Sequence, residues 1–220
     1  MPPAVRREIA RLCGAAGVPL IDDRTLADLI VEGTPPPPVA AFAPEAPVLT
    51  IGSLSKLVWP GLRVGWVRAA EPMIQRLARL KTAFELGSPL LTQAIGARVV
   101  GALADARRLR ARELRPRRDL LRTLLRDRLP QWRFRVPTGG LFLWAELPGA
   151  DARDFSQVAF RHAIVTLPGP TMSAAEEHAG FLRLPFFAEP ETLRTAVDRL
   201  AAAWREYRAT TREQRQAVIV

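Results

Sequence analysis

Cysteine and histidine are scarce in this sequence, and their scarcity excludes two kinds of site. Of 220 residues, one is cysteine, Cys13, and two are histidines, His162 and His178. A single cysteine rules out a disulfide within the chain, and neither histidine has a second ligand at a metal-binding spacing. We therefore expect no metal centre, and a reducing cytoplasm is the default expectation for localisation.

Long apolar runs are also lacking. No stretch is long enough to cross a bilayer, and the first residues do not form a charged and then apolar leader. We therefore expect a soluble protein with no membrane partner. With 220 residues, 48% of them hydrophobic, the chain can bury a sizeable core.

Negative charge is in the minority, since the formal net charge is +10. Such a balance favours nucleic-acid binding, but many of the arginines lie at residues 107–128, where they alternate with leucine as on a solvated helix face. No basic stretch is interleaved with the aromatic residues on which bases would stack. A basic structural or nucleic-acid-binding protein therefore remains only an alternative interpretation.

Lysine is also scarce, and its scarcity is the most informative feature of the composition. Only Lys56 and Lys81 are lysines among the 32 lysines and arginines. In a chain that uses arginine for almost every cation, a lysine indicates a task that guanidinium cannot perform, such as forming a Schiff base with a carbonyl. The alternative is that Lys56 is an ordinary solvated lysine.

The first half of the chain predicts an α/β arrangement. A helix is predicted at residues 5–16, followed by a buried strand at 18–21 that ends at Asp22 and Asp23. Further strands are predicted at 47–52 and 62–67. A helix from Glu71 has an apolar stripe that we expect to pack in the core, formed by Met73, Leu77, Leu80 and Phe84. A helical region then runs from Pro89 to about Arg128, capped by Ser88 and interrupted or kinked at Pro116.

The second half predicts a smaller α+β lobe. Strands are expected at residues 132–136, 141–147, 164–167 and 181–184, with helices at 152–162 and 190–208. We assign residues 1–115 to a partial large domain, 116–210 to a small C-terminal domain and 211–220 to a tail.

One group of side chains in the first half suits a phosphate and an aldehyde. Ser53 and Ser55 precede Lys56, Arg63 follows it, and Asp23 ends a neighbouring strand. Serine hydroxyls, backbone N–H groups and a guanidinium bind a phosphate dianion well. An amine beside them and a carboxylate at the same sheet edge match the needs of pyridoxal phosphate.

These residues resemble the cofactor-lysine motif of class I/II aminotransferases, the fold-type-I pyridoxal phosphate proteins. The resemblance is carried by Ser-Leu-Ser-Lys at residues 53–56 and Pro-Gly-Leu-Arg-Val-Gly-Trp at 60–66. Residues 17–23, 137–144 and 182–186 resemble three further segments of the family in the same order. The implied fold is the later part of the family's large domain, an α/β unit with a mixed, mostly parallel sheet and flanking helices, followed by its small α+β domain.

The resemblance also implies roles for individual residues. Lys56 would form a Schiff base with pyridoxal 5'-phosphate and move the substrate proton, while Asp23 would pair with the ring nitrogen. Ser53, Ser55 and Arg63 would hold the phosphate, and Arg183 would grip the carboxylate of the substrate, an amino acid or amine. A homodimer is implied by the resemblance alone.

Two departures from the family pattern qualify the expected activity. The tyrosine expected three residues after the strand aspartate is Leu26 here, and the only tyrosine is Tyr207. The chain also begins after the upstream half of the family's large domain, so it looks truncated at its N-terminus, and we expect weak cofactor binding and little turnover.

The sequences at residues 52–56 and 86–89, together with the positions of Trp59 and Trp66, most resemble the aminotransferase-like domain of MocR-type regulators in the GntR family. DNA would then be a partner only if a winged-helix domain precedes this region in the full-length protein. A free-standing amino-acid aminotransferase is the nearest alternative.

Overall fold

The computed structural model describes residues 1–85 and 87–216, with the last six of these described by their backbone alone. Leu86, part of the segment at 86–89, and residues 217–220 of the expected tail lie outside the described residues. The chain divides into two units: residues 1–112 with 138–140, and residues 113–137 with those from 141 onward. None of the described helices is both long and apolar enough to cross a membrane.

The described residues of the first unit form a three-stranded sheet, three α-helices and the start of a fourth. Its elements are α1 (Pro3–Ala16), β1 (Leu20–Asp23), β2 (Val48–Ser53), β3 (Gly65–Arg68), α2 (Glu71–Phe84), α3 (Leu90–Gly101) and the beginning of α4 (Leu103–Arg128). Helix α1 ends where predicted because Gly17 adopts a left-handed φ of 63°, at which a side chain would be strained.

The sheet of the first unit is mixed, as expected. Strand β2 is central, pairing in parallel with β1 and antiparallel with β3. Because side chains alternate across a strand, the sheet has two faces. On the α1 face, Val48 is buried together with Ala10 and Val39. The opposite face, called the open face here, bears Ile21 and Val67, which are 63% and 43% exposed.

The expectation that the apolar stripe of α2 packs in the core is wrong. No residue of α2 is buried, and Leu80 and Phe84 are 53% and 88% exposed. Helical periodicity identifies an apolar face but not the surface that covers it. In this chain the stripe is left at the surface.

The predicted cap and kink of the long helical region are also wrong. Pro89 occupies the N-cap position of α3, while the Ser88 hydroxyl contacts Lys81 and donates to Glu85 at 2.9 Å. The break lies at Ala102, after Gly101, and Pro116 stands inside α4. Glycine weakens a helix through its backbone freedom, whereas Pro116 removes only one of the many hydrogen bonds of a 26-residue helix.

The second unit packs helices on one face of an antiparallel sheet. Its elements are the rest of α4, β4 (Arg133–Phe134), β5 (Phe142–Glu146), α5 (Ala152–Arg161), β6 (Phe181–Pro185) and α6 (Pro190–Gln216), with strand order β4-β5-β6. The buried positions of β5 and β6 alternate as expected for a sheet covered on one side. Helix α6 continues eight residues beyond its expected end at Arg208.

The strand predicted at 164–167 does not form. The segment touches β6 through a hydrogen bond of 2.9 Å from the Arg183 N–H to the Leu167 carbonyl and through an isolated bridge between Pro168 and Leu182. Pro168 and Pro170 lack an N–H, so they cannot continue a ladder of hydrogen bonds.

Candidate functional site

The candidate site of the first unit lies at the carboxyl ends of β1 and β2. These strands are parallel, and Asp23 stands opposite Ile51, two residues before Ser53. The chain leaves β2, passes Lys56 and returns in β3, where Gly65 pairs with Ser53. Sheet topology therefore brings Asp23 and the loop of residues 53–64 to one edge, the position at which open α/β sheets bind ligands.

Buried leucines fix the loop that carries Lys56. Leu54, Leu57 and Leu62 are each at most 3% exposed, whereas Lys56 is exposed between them. The Leu54 N–H donates to the Val64 carbonyl at 3.0 Å, which holds the loop closed. The amine is therefore presented to solvent from a backbone that its neighbours hold in place.

The two serines of the motif differ in exposure and are joined by a hydrogen bond. Ser55 is 6% exposed, and its N–H donates to the Ser53 hydroxyl oxygen at 3.2 Å. Because the Ser53 oxygen acts as the acceptor there, its own proton remains free to donate. The pair thus offers hydroxyl protons at the end of β2.

Arg63 has a left-handed backbone conformation, with φ 51° and ψ 34°. For a residue with a Cβ this conformation costs about 1 to 2 kcal/mol, so the surrounding loop must impose it. The guanidinium is exposed, seven residues after Lys56. The strain was not predictable from the motif.

The adjacent aspartates at the end of β1 have different surroundings. Asp22 is 8% exposed, accepts the Val39 N–H at 2.9 Å and pairs with Arg6 at 3.5 Å. Asp23 lies on the open face, where one carboxylate oxygen accepts the Thr25 N–H at 2.9 Å. Asp22 is thus tied to α1 and the loop at 39, whereas Asp23 is accessible, and among the described residues it has no ion pair.

No tyrosine supplements the site in the first unit. Leu26, three residues after Asp23, is an apolar side chain that is 41% exposed. Tyr207 belongs to the second unit, where its hydroxyl accepts the Asp151 N–H at 3.2 Å and its ring packs on Phe155 and Trp204. Its role is in the packing of that unit.

Arg183 lies on β6 of the second unit. Its guanidinium carbon is 4.2 Å from the centre of the Phe142 ring, and its Nε is buried without a hydrogen-bond partner. It also lines an apolar cavity of about 210 Å³ between the segment at 164–167, β6 and α6. The cation–π contact with Phe142 is not predicted by the sequence pattern and follows from the positions of the two residues on paired strands.

The two histidines make contacts within the second unit. His162 bonds Glu206 at 2.7 Å, and the pKa of Glu206 is lowered by hydrogen bonds from Arg161 and His162. His178 packs edge-on against Trp144 and Phe181. Among the described residues, no three histidine, cysteine or acidic side chains gather as metal ligands would.

Comparison with known proteins identifies one family and two kinds of relative. The family described as "Aminotransferase class I and II" matches residues 1–200. Aromatic-amino-acid aminotransferase 1 of Thermococcus litoralis is 29% identical over 206 residues, covering 91% of this chain and 49% of that protein. The uncharacterized HTH-type transcriptional regulator YdfD of Bacillus subtilis is 30% identical over 208 residues, covering 91% of this chain and 42% of that protein.

Solved structures agree with these relatives. LysN, an α-aminoadipate aminotransferase of Thermus thermophilus complexed with N-(5'-phosphopyridoxyl)-L-leucine, superposes with a TM-score of 0.88 at 25% identity, over 95% of this chain and 56% of that one. The multiple substrate aminotransferase of Thermococcus profundus gives a TM-score of 0.87 at 26% identity, over 96% and 53%. The chain spans about half the length of these relatives.

Proposed function

This chain belongs to the class I and II aminotransferase family, and from that membership we propose that its first unit binds pyridoxal 5'-phosphate through Lys56. The observation that carries the proposal is the loop of residues 53–64, in which buried leucines present an exposed amine next to hydroxyl and guanidinium donors. When bound, the cofactor supplies an aldehyde and an electron-withdrawing ring.

The residues present fit the phosphate end of that cofactor. The Ser53 proton is free to donate because its oxygen accepts from Ser55, and Arg63 can bind two phosphate oxygens at once. We assign the phosphate to Ser53, Ser55 and Arg63.

Asp23 fits the ring nitrogen. Its carboxylate is oriented by the Thr25 N–H on the open face, and an anion there favours the protonated form of a neighbouring nitrogen. Lys56 would hold the aldehyde carbon and, as a free amine, accept the proton that leaves the substrate.

Within this function, we assign the domain to ligand sensing in a MocR-type regulator. Leu26 offers no hydroxyl where the family's tyrosine stands, which favours binding over efficient turnover. The regulator YdfD and the aminotransferase of Thermococcus litoralis each match 91% of this chain, so the choice between them rests on Leu26. Arg183, with its unpartnered Nε, is the residue that we propose binds the carboxylate of an amino-acid ligand.

We also propose a homodimer. Three large apolar side chains of the first unit are at least 75% exposed: Phe84, Leu90 and Leu91. A group of such side chains is unusual on the surface of a monomeric protein. Sedimentation equilibrium of the purified chain tests this, and a monomer at all concentrations would refute it.

Chemical trapping tests the cofactor proposal. The purified chain is incubated with pyridoxal 5'-phosphate, reduced with borohydride and digested, and the modified peptide is identified by mass. We expect the pyridoxyl group on Lys56 and little on Lys81, the chain's only other lysine. Equal labelling of the two lysines, or no labelling, would refute specific attachment.

The strain at Arg63 predicts opposite effects on stability and on binding. Arg63→Gly should raise the free energy of unfolding by about 1 kcal/mol, because glycine adopts the left-handed conformation freely. It should weaken cofactor binding on the order of tenfold, because a charged hydrogen-bond donor to the phosphate is lost. Urea unfolding and cofactor titration measure the two effects. Arg76→Gln, an equal loss of charge on α2, should change neither, and undiminished binding by Arg63→Gly would remove Arg63 from the site.

A further inference from the structure

We propose that the first unit carries a second ligand site, on the α1 face of its sheet, for a small anion with a flat apolar body. The site is a cavity of about 220 Å³. Its polar lining comes from Arg24, Thr50 and Arg68, and its apolar lining from Trp66, Pro38 and Ala40. It lies on the face opposite Asp23, so it is distinct from the proposed cofactor site.

Two buried polar atoms in this lining have no hydrogen-bond partner. Thr50 is 3% exposed, and both its hydroxyl oxygen and Nη1 of Arg24 are buried without a hydrogen bond, although Nη1 lies 4.0 Å from a carboxylate oxygen of Asp22. A buried donor that lacks a hydrogen bond destabilises the folded protein, because its hydration is lost without replacement. Both groups can donate, and both line the same cavity, so an acceptor bound there would satisfy them together.

The charge around the cavity selects an anion. Asp22 lies 4.0 Å from Arg24 and 3.5 Å from Arg6. Arg68 also lines the cavity and, in the described part of the chain, has no ion pair. The cavity lining itself therefore carries two guanidinium groups, those of Arg24 and Arg68, and this positive charge favours a carboxylate or phosphate.

The indole of Trp66 supplies a flat apolar wall. It lies against Gly52, where a Cβ would come within 2.1 Å of the ring, so only glycine lets the indole approach β2 this closely. Trp66 remains 45% exposed, which leaves ring surface for a ligand. An aromatic or otherwise planar body would stack there with its anionic group toward Thr50.

The run of four prolines at residues 35–38, which the cofactor site does not use, contributes to this cavity. Pro38 lines it, and the Pro36 carbonyl accepts from Nη2 of Arg24 at 2.9 Å. Proline fixes its own φ, so the run forms a stiff wall that positions Arg24. The four prolines thus have a structural role in the first unit, which is to form one wall of the cavity and to position Arg24.

Calorimetric titration at low salt tests the site with benzoate, phenyl phosphate and the neutral benzyl alcohol. We expect saturable binding of at least one of the two anions, and at least tenfold weaker binding of benzyl alcohol, since it lacks the charge. A preference between benzoate and phenyl phosphate identifies the anionic group. The titrations are repeated on Arg63→Gly, because phenyl phosphate could also occupy the proposed cofactor site, and binding to the α1 face should survive that change.

Two variants locate the binding. Thr50→Val should weaken it about fivefold while leaving the urea midpoint equal or higher, because it removes a buried hydroxyl that has no partner. Arg68→Gln should weaken it about tenfold, and Arg76→Gln should not. Absence of saturable anion binding, or equal affinity in wild type, Thr50→Val and Arg68→Gln, would overturn the proposal. Trapping of pyridoxal phosphate at Lys56 should be unchanged in Thr50→Val, so the two proposals fail separately.

Discussion

Replacing Lys56 by arginine is expected to abolish covalent attachment of pyridoxal phosphate. Arginine keeps the positive charge and the length of the side chain, but its guanidinium does not lose a proton in proteins and so cannot attack the aldehyde. The visible absorption band that appears when wild-type protein is titrated with the cofactor should fall to background. Non-covalent binding through Ser53, Ser55 and Arg63 should persist at lower affinity.

Lys81→Arg is the matched control. Lys81 lies on α2, where it pairs with Glu85 and contacts the Ser88 hydroxyl, and arginine can make both contacts. This variant should therefore keep the full absorption band. A band of wild-type intensity in Lys56→Arg, or its loss in Lys81→Arg, would contradict the assignment of Lys56.

The members of this site could be chosen from the sequence because each has a distinctive local signal. Lys56 is rare in an arginine-rich chain, and Ser53 and Ser55 precede it in a recognisable motif. The position of these residues at one edge of the sheet follows from the two short buried strands predicted at residues 18–21 and 47–52. The roles assigned to these residues remain predictions until the trapping experiment is done.

The conformation of individual residues could not be predicted in the same way. Asp22 and Asp23 are identical in type, and only the phase of β1 relative to the α1 face decides that Asp22 is buried. The left-handed φ of Arg63 depends on the turn at residues 60–62 and on pairing between β2 and β3. Both properties come from tertiary context rather than from local pattern.

The errors in the helical region have a related cause. The stripe of α2 was predicted to be core because it is apolar, yet Phe84 is 88% exposed. A pattern within one helix carries no information about the surface that covers it. Likewise, Pro116 does not interrupt α4, because a long helix accommodates a single missing hydrogen bond.

The aromatic cluster of the second unit gives the other large expected effect. Phe155 of α5 is fully buried, and its ring centre lies 5.7 Å from those of Trp132 and Trp204 and 5.9 Å from that of Tyr207. All three pairs have the edge-to-face geometry that aromatic rings favour. The cluster joins α5, α6 and the chain preceding β4, so Phe155 has neighbours from three parts of the unit.

Phe155→Ala should lower the free energy of unfolding of the second unit by about 3 to 5 kcal/mol, since it removes a fully buried ring and leaves a cavity among bulky neighbours. Urea unfolding followed by tryptophan fluorescence, to which Trp132 and Trp204 contribute, measures this change. Phe160→Ala is the matched control: it makes the same truncation on α5 at a side chain that is 70% exposed, and it should cost less than about 1 kcal/mol. Similar losses in the two variants would show that the cluster does not determine the stability of this unit. A large loss of unfolding free energy in Phe155→Ala alone would show that the aromatic cluster contributes strongly to the stability of the second unit.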